Sequence, residues 1–365
     1  MARIFVAGGG TGGHLYPGVA IARALVRARP SIEPFFIGAK RGIERDVLPK
    51  LEFPYALLDA HPLYRRAVWK NAKTVTGGIG TWRELGRLAR AENPKLVIGT
   101  GGYAAAFAMA YAVVHRIPIV QQAGDSHPGL TARAFSRWSR EMYLSFPEAS
   151  RALRAHHPGS LVDTGAPIEP PPSPRPDRRA ARQSWGLPTE GRVLLVYGGS
   201  QGSLAINRAV AQWIDRGLPD SVSLIWGTGR GSFAEFKDRE SPRVRVRDYL
   251  APISDSYAAV DLAIARAGAM TTAKLFAWGI PAVLVPLPTA AADHQTVNAV
   301  TLERAGAAIH LPQSQLTAER LDATVRSILD RPAELERLAA GARGRARPDA
   351  AEEIARRILA LLDSF

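Results

Sequence analysis

His14 is the side chain whose position points most directly to chemistry. It closes a glycine-rich segment, Gly8-Gly-Gly-Thr-Gly-Gly-His14, between an apolar run and a helical pattern. Glycines at such a junction let backbone amides approach an anion at the start of a helix. The helix dipole disfavours a charged imidazolium there, so the ring stays neutral and available as a general base. The alternative is a histidine that only caps the turn or bonds a backbone carbonyl.

A dinucleotide-binding fold has a similar glycine spacing and is an alternative for this segment. That fold requires Asp or Glu at the end of its second strand, where the acid binds the ribose hydroxyls. Here the second predicted strand ends in Ile37-Gly38-Ala39-Lys40, without an acid. The sequence therefore disfavours dinucleotide binding.

Four further segments carry small or polar residues after predicted strands. Two are glycine loops, Gly99-Thr-Gly-Gly-Tyr103 and Gly198-Gly-Ser-Gln-Gly202, and either one alone is also compatible with a tight structural turn. Arg266-Ala-Gly-Ala-Met-Thr271 puts a guanidinium beside the amides of a helix start, which suits a diphosphate. In Asp293-His-Gln-Thr-Val-Asn298, polar side chains are grouped to bond sugar hydroxyls; the alternative is a helix start capped by Asp293.

The elements that must position these segments are short β-branched and aromatic runs alternating with helical patterns. The predicted strands cover residues 3–6, 34–37, 55–58, 96–98, 117–120, 142–144, 193–196, 222–225, 244–246, 262–264, 283–285 and 308–311. A helix over residues 14–27 follows the first strand, with Pro17 in its first turn, where proline is tolerated. The alternation stops at a proline-rich stretch, 167–176, and then restarts. We predict an α/β protein with two doubly wound, Rossmann-like parallel sheets facing each other across a ligand-binding cleft.

Composition restricts the partners. The chain has 365 residues, no cysteine and eight scattered histidines, so we predict no metal site and no disulfide. A formal net charge of +14 indicates an anionic membrane surface or phosphorylated ligands. Nucleic acid is disfavoured because no nucleic-acid-binding motif accompanies the charge. Residues 96–114 are uncharged but contain turn glycines, and the first apolar run is too short for a secretory signal, so neither a span nor a signal is predicted.

The segment 63–90 is the candidate membrane contact. Val75, Ile79 and Trp82 are spaced to form an apolar stripe on one helix face. The surrounding basic residues are Arg65, Arg66, Lys70, Lys73, Arg83 and Arg87. Apolar insertion combined with basic residues holds a monotopic protein on an anionic leaflet. The alternative is that Val75 and Ile79 pack on the sheet.

Taken together, these segments resemble the MurG family of lipid II synthases, in the family's order and over nearly the whole chain. The matching motifs are Gly8–His14 with Tyr16-Pro17, Gly101-Gly-Tyr103, Pro128-Gly-Leu-Thr131, Phe146-Pro147, Gly198–Gly202 with Asn207, Arg266–Thr271, and His294-Gln295 with Asn298-Ala299. The resemblance implies a two-domain GT-B fold. It implies an N-terminal acceptor- and membrane-binding domain over 1–166, completed by a helix at 349–365, a linker over 167–178, and a donor domain over 179–348.

The resemblance also implies an activity. Members transfer N-acetylglucosamine from UDP-N-acetylglucosamine to undecaprenyl-diphosphate-linked N-acetylmuramoyl-pentapeptide (lipid I), inverting the anomeric carbon without a cofactor. The expected place is the cytoplasmic face of a bacterial membrane, with peripheral attachment and with other cell-wall synthesis or division proteins as further partners.

The family's functional residues carry over by motif position. His14 would be the general base. On the donor side the residues are Thr11, Gly12, Gly13, Ser200, Gln201, Arg266, Ala269, Met270, Thr271, Lys274, Gln295 and Asn298. On the acceptor side they are Gly12, Gly13, His14, Tyr103 and Asp125.

The chain departs from the family at four places. Gln122-Ala-Gly-Asp125 stands where His-Glu-Gln-Asn is common, so Ala123 takes the place of Glu unless the register shifts by one residue. Ala132 replaces Asn, and Glu169 stands where Arg is expected. Lys274 occupies the place of the Glu that holds the UDP ribose, and an ammonium group offers no acceptor for hydroxyls. We expect weaker donor binding than in a typical member.

Three other functions remain open at this point. The first is another GT-B transferase with a lipid acceptor such as diacylglycerol. The second is a sugar-nucleotide epimerase on the same fold, which needs acidic residues that these motifs lack. The third is a non-catalytic relative that binds membranes or cell-wall enzymes, and the four departures motivate it.

Overall fold

The computed structural model describes residues 2–60, 72–199 and 201–364, with the backbone alone for residues 72–77. The chain divides into two compact units: unit 1, Met1–Glu169 with Arg347–Phe365, and unit 2, Pro170–Ala346. The break after Glu169 falls inside the proline-rich stretch at 167–176.

Unit 1 is built on a parallel sheet of seven strands in the order β3-β2-β1-β4-β5-β6-β7. The strands are β1 (Ala2–Gly8), β2 (Ile32–Ala39), β3 (Tyr55–Leu58), β4 (Leu96–Gly101), β5 (Ile119–Ala123), β6 (Ser139–Leu144) and β7 (Leu161–Asp163). The first six confirm the predicted strands. The sequence does not predict β7, because its three residues lie at the sheet edge with no fully buried side chain, so no apolar run marks them.

Helices cover both faces of this sheet. They are α1 (Gly12–Ala28), α2 (Glu44–Val47), α3 (Ala72–Glu92), α4 (Gly102–Val114), α5 (Leu130–Phe135) and, from the far end of the chain, α14 (Ala350–Asp363). One apolar cluster joins α1 and α14 to the sheet through side chains such as Leu25 and Ile354. A second joins α3 and α4 to the opposite face, with Leu85 and Met109 fully buried.

The start of α1 differs from the prediction. The helix begins at Gly12, two residues earlier than expected, after an extended Thr11. Pro17 therefore lies in the second turn of the helix and is buried there. The early start brings the last glycines of the loop into the first turn of α1, with their amides at the helix N-terminus.

Unit 2 repeats the architecture on a six-stranded parallel sheet in the order β10-β9-β8-β11-β12-β13. Its strands are β8 (Arg192–Tyr197), β9 (Val222–Gly227), β10 (Val244–Arg247), β11 (Leu262–Ala265), β12 (Ala282–Leu284) and β13 (Ala308–His310), and all six confirm predicted ones. Its helices are α6 (Arg178–Ser184), α7 (Leu204–Arg216), α8 (Phe233–Phe236), α9 (Ile253–Ala259), α10 (Ala269–Ala277), α11 (His294–Arg304), α12 (Ala318–Leu329) and α13 (Pro332–Arg345). Trp213 and Trp226 are the largest side chains in its core.

Among the described ranges, no helix combines the length and apolar character needed to cross a bilayer. The uncharged stretch at 96–114 forms β4 and α4, and α4 packs on the sheet.

Candidate active site

The two glycine loops of unit 1 pack directly against each other at the carboxyl ends of β1 and β4. A side chain on Gly8 would overlap the Thr100 hydroxyl, since its Cβ would lie 1.8 Å from Oγ1. Likewise, a Cβ on Gly102 would lie 2.1 Å from the carbonyl oxygen of Gly9. The Gly9 amide donates to the Gly101 carbonyl at 3.3 Å. Backbone-to-backbone contact of this kind requires glycine, which is why the sequence carries two such loops.

His14 projects from the first turn of α1 into this junction. Its Nδ1 is 3.2 Å from the Gly9 carbonyl oxygen and 3.3 Å from the Thr11 hydroxyl. A carbonyl oxygen only accepts, so the bond to Gly9 assigns the proton to Nδ1 and the lone pair to Nε2. The Thr100 hydroxyl donates to the backbone carbonyl of His14 at 2.6 Å and fixes this turn of the helix.

Gly101 leaves room for the imidazole ring. Its φ of +103° is in the region that favours glycine, and a Cβ there would lie 2.6 Å from Cδ2 and 3.0 Å from Nε2 of His14. The Gly9 carbonyl thus holds one edge of the ring through a hydrogen bond, and the backbone of Gly101 lies close to the other edge because it carries no side chain. His14 bonds a backbone carbonyl, as the simpler sequence interpretation expected, and that same bond prepares Nε2 to accept a proton.

The other two predicted acceptor-side side chains, Tyr103 and Asp125, follow β4 and β5. Tyr103 is the second residue of α4, and its ring lies 3.1 Å from where a Cβ on Gly10 would stand. Asp125 follows β5 and is half-buried. Gln122, also at the end of β5, donates through Nε2 to the Ser145 hydroxyl at 2.8 Å. Within the described residues its Oε1 has no hydrogen-bond partner.

In unit 2 the glycine loop after β8 is equally tight. A Cβ on Gly202 would lie 2.1 Å from the Thr228 carbonyl oxygen, so this loop packs on the loop that follows β9. Asn207 of α7 joins both elements: it donates to the Thr228 carbonyl at 2.8 Å and accepts from the Trp226 indole at 3.0 Å. Gln201 is exposed at the tip of the loop, whereas Ser200 lies outside the described residues.

Arg266 is held inside unit 2 by four hydrogen bonds. Its two terminal nitrogens donate to the carbonyls of Val285 and Pro286 at 3.0 and 2.8 Å, and to the side chains of Ser203 and Gln313, each at 2.7 Å. Burial lowers the pKa of Arg266 to about 10, which still leaves it charged at neutral pH. The guanidinium therefore ties together the ends of three strands, and direct contact with a diphosphate would require exchange of one of these bonds.

The amides at the start of α10 are a second candidate for anion binding in unit 2. Ala269, Met270 and Thr271 open the helix after an extended Gly268, and all three are half-buried. Amides in a first helical turn have no partner within the helix and attract negative charge. The buried Tyr197 hydroxyl, at the end of β8, lies 3.2 Å from the Tyr257 hydroxyl. Lys274 lies one turn further on and is half-buried.

Gln295 and Asn298 are predicted to bond sugar hydroxyls, and each makes a hydrogen bond within unit 2. Asn298 is fully buried and donates to the Ala267 carbonyl at 3.2 Å, which holds the loop before α10. The Gln295 side-chain oxygen accepts from the Leu287 amide at 3.0 Å. Asp293 stands at the N-cap position of α11, but its side chain makes no capping hydrogen bond.

Two groups near these loops were missed by sequence reasoning. Glu44, on α2, is fully buried against the Gly9 loop. It lies near the end of β2, the strand that ends without an acidic residue in the sequence. In unit 2, Tyr249 follows β10 with 46% of its surface exposed, and the Arg230 guanidinium lies 5.4 Å from its ring. The sequence does show a tyrosine shortly after a predicted strand, and that position was the signal that could have pointed to Tyr249.

Comparison with known proteins identifies the family. The Glycosyltransferase family 28 N-terminal domain matches residues 4–144, and the Glycosyltransferase family 28 C-terminal domain matches residues 193–354. A UDP-N-acetylglucosamine--N-acetylmuramyl-(pentapeptide) pyrophosphoryl-undecaprenol N-acetylglucosamine transferase from Salinibacter ruber is 40% identical, covering 99% of this chain and 97% of the relative. A protein of the same name from Moorella thermoacetica is 37% identical, covering 99% of this chain and 100% of the relative. The chain belongs to the MurG family.

The fold agrees with that of a solved MurG structure. The crystal structure of Acinetobacter baumannii MurG matches with a TM-score of 0.78 at 23% identity, covering 100% of both chains. The two units are therefore the two domains of a GT-B fold, as predicted. The chain carries both glycine loops of unit 1, and Ala123 and Ala132 are buried residues, with 2% and 7% of their surface exposed.

Proposed function

We propose that this chain transfers N-acetylglucosamine from UDP-N-acetylglucosamine to the muramoyl-pentapeptide of lipid I, with inversion at the anomeric carbon. The observation that carries the proposal is the His14 ring at the start of α1, with Nδ1 directed at the Gly9 carbonyl and its lone pair on Nε2. The names of the Salinibacter and Moorella relatives supply the substrate class.

The reaction is a single displacement. His14 Nε2 accepts the proton of the acceptor hydroxyl while that oxygen forms a bond to the anomeric carbon of the donor sugar. The bond from this carbon to the diphosphate oxygen breaks at the same time, and UDP leaves with the electron pair. The imidazolium that forms keeps its Nδ1 proton on the Gly9 carbonyl, so the ring need not turn during the reaction.

The leaving diphosphate is assigned to unit 2. The first-turn amides of α10, at Ala269, Met270 and Thr271, supply donors and a positive dipole end. Arg266 adds its charge from behind the strand ends without having to move. Tyr249 and Arg230 offer an exposed aromatic face and a cation beside the glycine loop at 198–202, a surface on which a uracil base can stack.

Membrane attachment is assigned to the paired helices α3 and α4. Trp82, Tyr111 and His115 form an aromatic group, with ring centroids of Trp82 and Tyr111 5.2 Å apart and those of Tyr111 and His115 4.1 Å apart. The same groove is lined by Arg83, Arg87 and Arg90.

Two exposed aliphatic side chains lie on the same helices: Ile79 is 60% exposed and Val114 is 64% exposed. Trp82 packs partly against the core. The side chain of Val75, like residues 63–71, lies outside the described part, so the predicted stripe of Val75, Ile79 and Trp82 stays a prediction. A groove of this composition favours a peripheral position on an anionic leaflet, which we take to be the cytoplasmic one.

The direct test is release of UDP from UDP-N-acetylglucosamine in the presence and absence of a lipid I analogue, with the anomer of the product determined by NMR. We expect acceptor-dependent release and a β-linked product. Release with diacylglycerol instead would indicate a transferase with another acceptor. Conversion of the nucleotide sugar without any acceptor would indicate an epimerase, and UDP binding without turnover would indicate a non-catalytic relative.

A further inference from the structure

Glu44 is a buried carboxyl group behind the first glycine loop of unit 1. Its relative exposure is 0%, although it belongs to a four-residue helix whose other three residues are at least partly exposed. Oε1 accepts from the Ala39 amide at 3.2 Å, and Oε2 has no hydrogen-bond partner within the described residues. Burying a carboxyl group with an unsatisfied oxygen is costly, so its presence calls for an explanation beyond local packing.

The carboxyl group occupies the space that side chains on two glycines would need. A Cβ on Gly9 would lie 1.7 Å from Oε1, and a Cβ on Gly42 would lie 1.9 Å from Oε2. A third contact comes from Gly38, where a Cβ would lie 2.9 Å from the Glu44 Cβ. Glu44 therefore fills a narrow slot between the end of β2 and the loop that carries Gly9. Since no part of it reaches solvent, it cannot bind a ribose as the corresponding acid of a dinucleotide fold does.

The peptide group of Gly9 connects this slot to His14. The Gly9 carbonyl faces the Nδ1 of His14 at 3.2 Å, and Gly102 is in contact with the same oxygen. The Gly9 amide is bonded to the Gly101 carbonyl at 3.3 Å. One side of the Gly9 loop is therefore held by Gly101 of β4 and Gly102 of α4. The other side of the loop contacts the carboxyl group of Glu44.

We propose that Glu44 is a positioning residue for His14. Its carboxyl group, held by the Ala39 amide and pressed against Gly9, fixes the carbonyl that accepts the Nδ1 proton, and so keeps the lone pair of His14 on Nε2. The proposal rests on the proposed function in one respect, the assignment of His14 as the base. A group that served only the turn at residues 39–42 would not affect the ring of His14.

The decisive measurement is the tautomer of His14, read from the ¹⁵N chemical shifts of its ring in the full chain. Wild type should show the Nδ1–H tautomer. Glu44→Ala, which empties the slot, should give a mixture of tautomers, whereas Glu44→Gln, which keeps the volume, should retain the wild-type signal. Glu52→Ala is the matched control, because Glu52 is an exposed acid of unit 1 that pairs with Arg23. An unchanged tautomer in Glu44→Ala overturns the proposal.

Kinetics supply the second readout. A loosened base lowers kcat by about 10- to 100-fold in Glu44→Ala, while the KM for UDP-N-acetylglucosamine stays unchanged. Glu44→Gln should stay within about threefold of wild type, because the slot remains filled. If Glu44→Ala is unfolded at the assay temperature, Glu44→Asp, which withdraws the carboxyl group from Gly9, takes its place with the same expectation.

Non-additivity shows whether Glu44 acts through His14. In a His14→Ala background, Glu44→Ala should lower the rate by less than about twofold more, since residues that act as a unit are not additive. If the rate loss of the double variant equals the product of the two single losses, the proposal is contradicted. A wild-type chain without transferase activity would refute the proposed function, yet the tautomer measurement would still decide the role of Glu44.

Discussion

The residue at the centre of the proposed chemistry is oriented mainly by backbone. His14 Nδ1 meets the carbonyl of Gly9, and the ring lies against the bare Cα of Gly101. A neutral carbonyl selects the tautomer as an acidic orienter does, but it adds no formal charge to stabilise the imidazolium. The His14 imidazolium therefore releases its proton readily to solvent. This suits a reaction in which His14 takes one proton from the acceptor hydroxyl in each turnover.

The first prediction concerns this base. His14→Ala should lower the transfer rate by about 10²–10⁴-fold, the range expected for loss of a positioned general base. Affinity for UDP should stay unchanged, because the proposed UDP site is in unit 2. The measurement is UDP release together with calorimetric titration of UDP. His156→Ala, an exposed histidine of the same unit, serves as the control. Near-normal turnover of His14→Ala would remove the residue from the role.

The second prediction concerns Lys274, which the resemblance to the MurG family places at the position of a ribose-binding Glu. Lys274→Glu should tighten UDP binding by about one to two decades, because hydrogen bonds to a charged acceptor contribute ~1.5–3 kcal/mol. Calorimetry on wild type and variant measures the difference. Lys237→Glu makes the same charge change at an exposed site of unit 2 and should leave the affinity unchanged. Equal affinities in wild type and Lys274→Glu would mean that the ribose is held elsewhere.

The sequence predicts that these residues lie near the strand ends, but it cannot show which of their side chains make hydrogen bonds within the protein. Arg266, Gln295 and Asn298 were expected at the donor, and each is bonded to a backbone group of a neighbouring loop. Those backbone groups lie eight to 31 residues away along the chain, in loops that only the fold brings beside these side chains. Glu44 escapes notice for the same reason: α2 turns it back behind Gly9.

At the scale of elements, α14 is part of the core of unit 1. Its apolar face packs with α1, and Arg357 donates from Nε and Nη2 to both carboxylate oxygens of Glu141 on β6, at 2.9 and 2.7 Å. Bonding to Glu141 raises the pKa of Arg357, as expected for a cation with a close carboxylate. The helix at 349–365 was expected from the resemblance to the MurG family, and α14 lies within that range. The strand β7 was not predicted because its three edge residues produce no apolar pattern.

The third prediction tests this connection. Arg357→Ala should lower the free energy of unfolding by about 1–3 kcal/mol, because Glu141 is then left without its partner in a mostly buried position. Arg356→Ala is a close control. The Arg356 side chain is exposed, and within the described residues its ion pair is with Glu353 of the same helix, so a change within about 0.5 kcal/mol is expected. Urea unfolding followed by fluorescence measures both variants. Equal midpoints would show that apolar packing alone retains the helix.

At the scale of the whole molecule, the excess of basic residues calls for an anionic binding partner. The net charge is +14, and the groove between α3 and α4 gathers three arginines around an aromatic group. Concentrated charge beside exposed aliphatic side chains binds more strongly to an anionic bilayer than the same charge spread over a surface.

The fourth prediction follows from that arrangement. The chain should float with vesicles containing phosphatidylglycerol, remain unbound to pure phosphatidylcholine, and dissociate as salt is raised. Replacing Arg83, Arg87 and Arg90 together by Gln should lower partitioning by roughly two decades, at about 1 kcal/mol per residue. The same replacement of Arg304, Arg320 and Arg331, all exposed on unit 2, is the control. Undiminished flotation of the first triple variant would rule out the groove as the contact.

The return of the chain to unit 1 has a consequence for synthesis on the ribosome. Residues 170–346 form unit 2 without interruption, whereas unit 1 receives α14 only after all of unit 2 has been made. At about 5–20 residues per second, the face of α1 that α14 covers stays open for roughly 10–40 seconds after the sheet of unit 1 is complete. During that interval the apolar side chains of α1 are available to chaperones or to aggregation. A nascent chain stalled before residue 350 should therefore bind a holdase chaperone more strongly than one stalled after α14 has emerged.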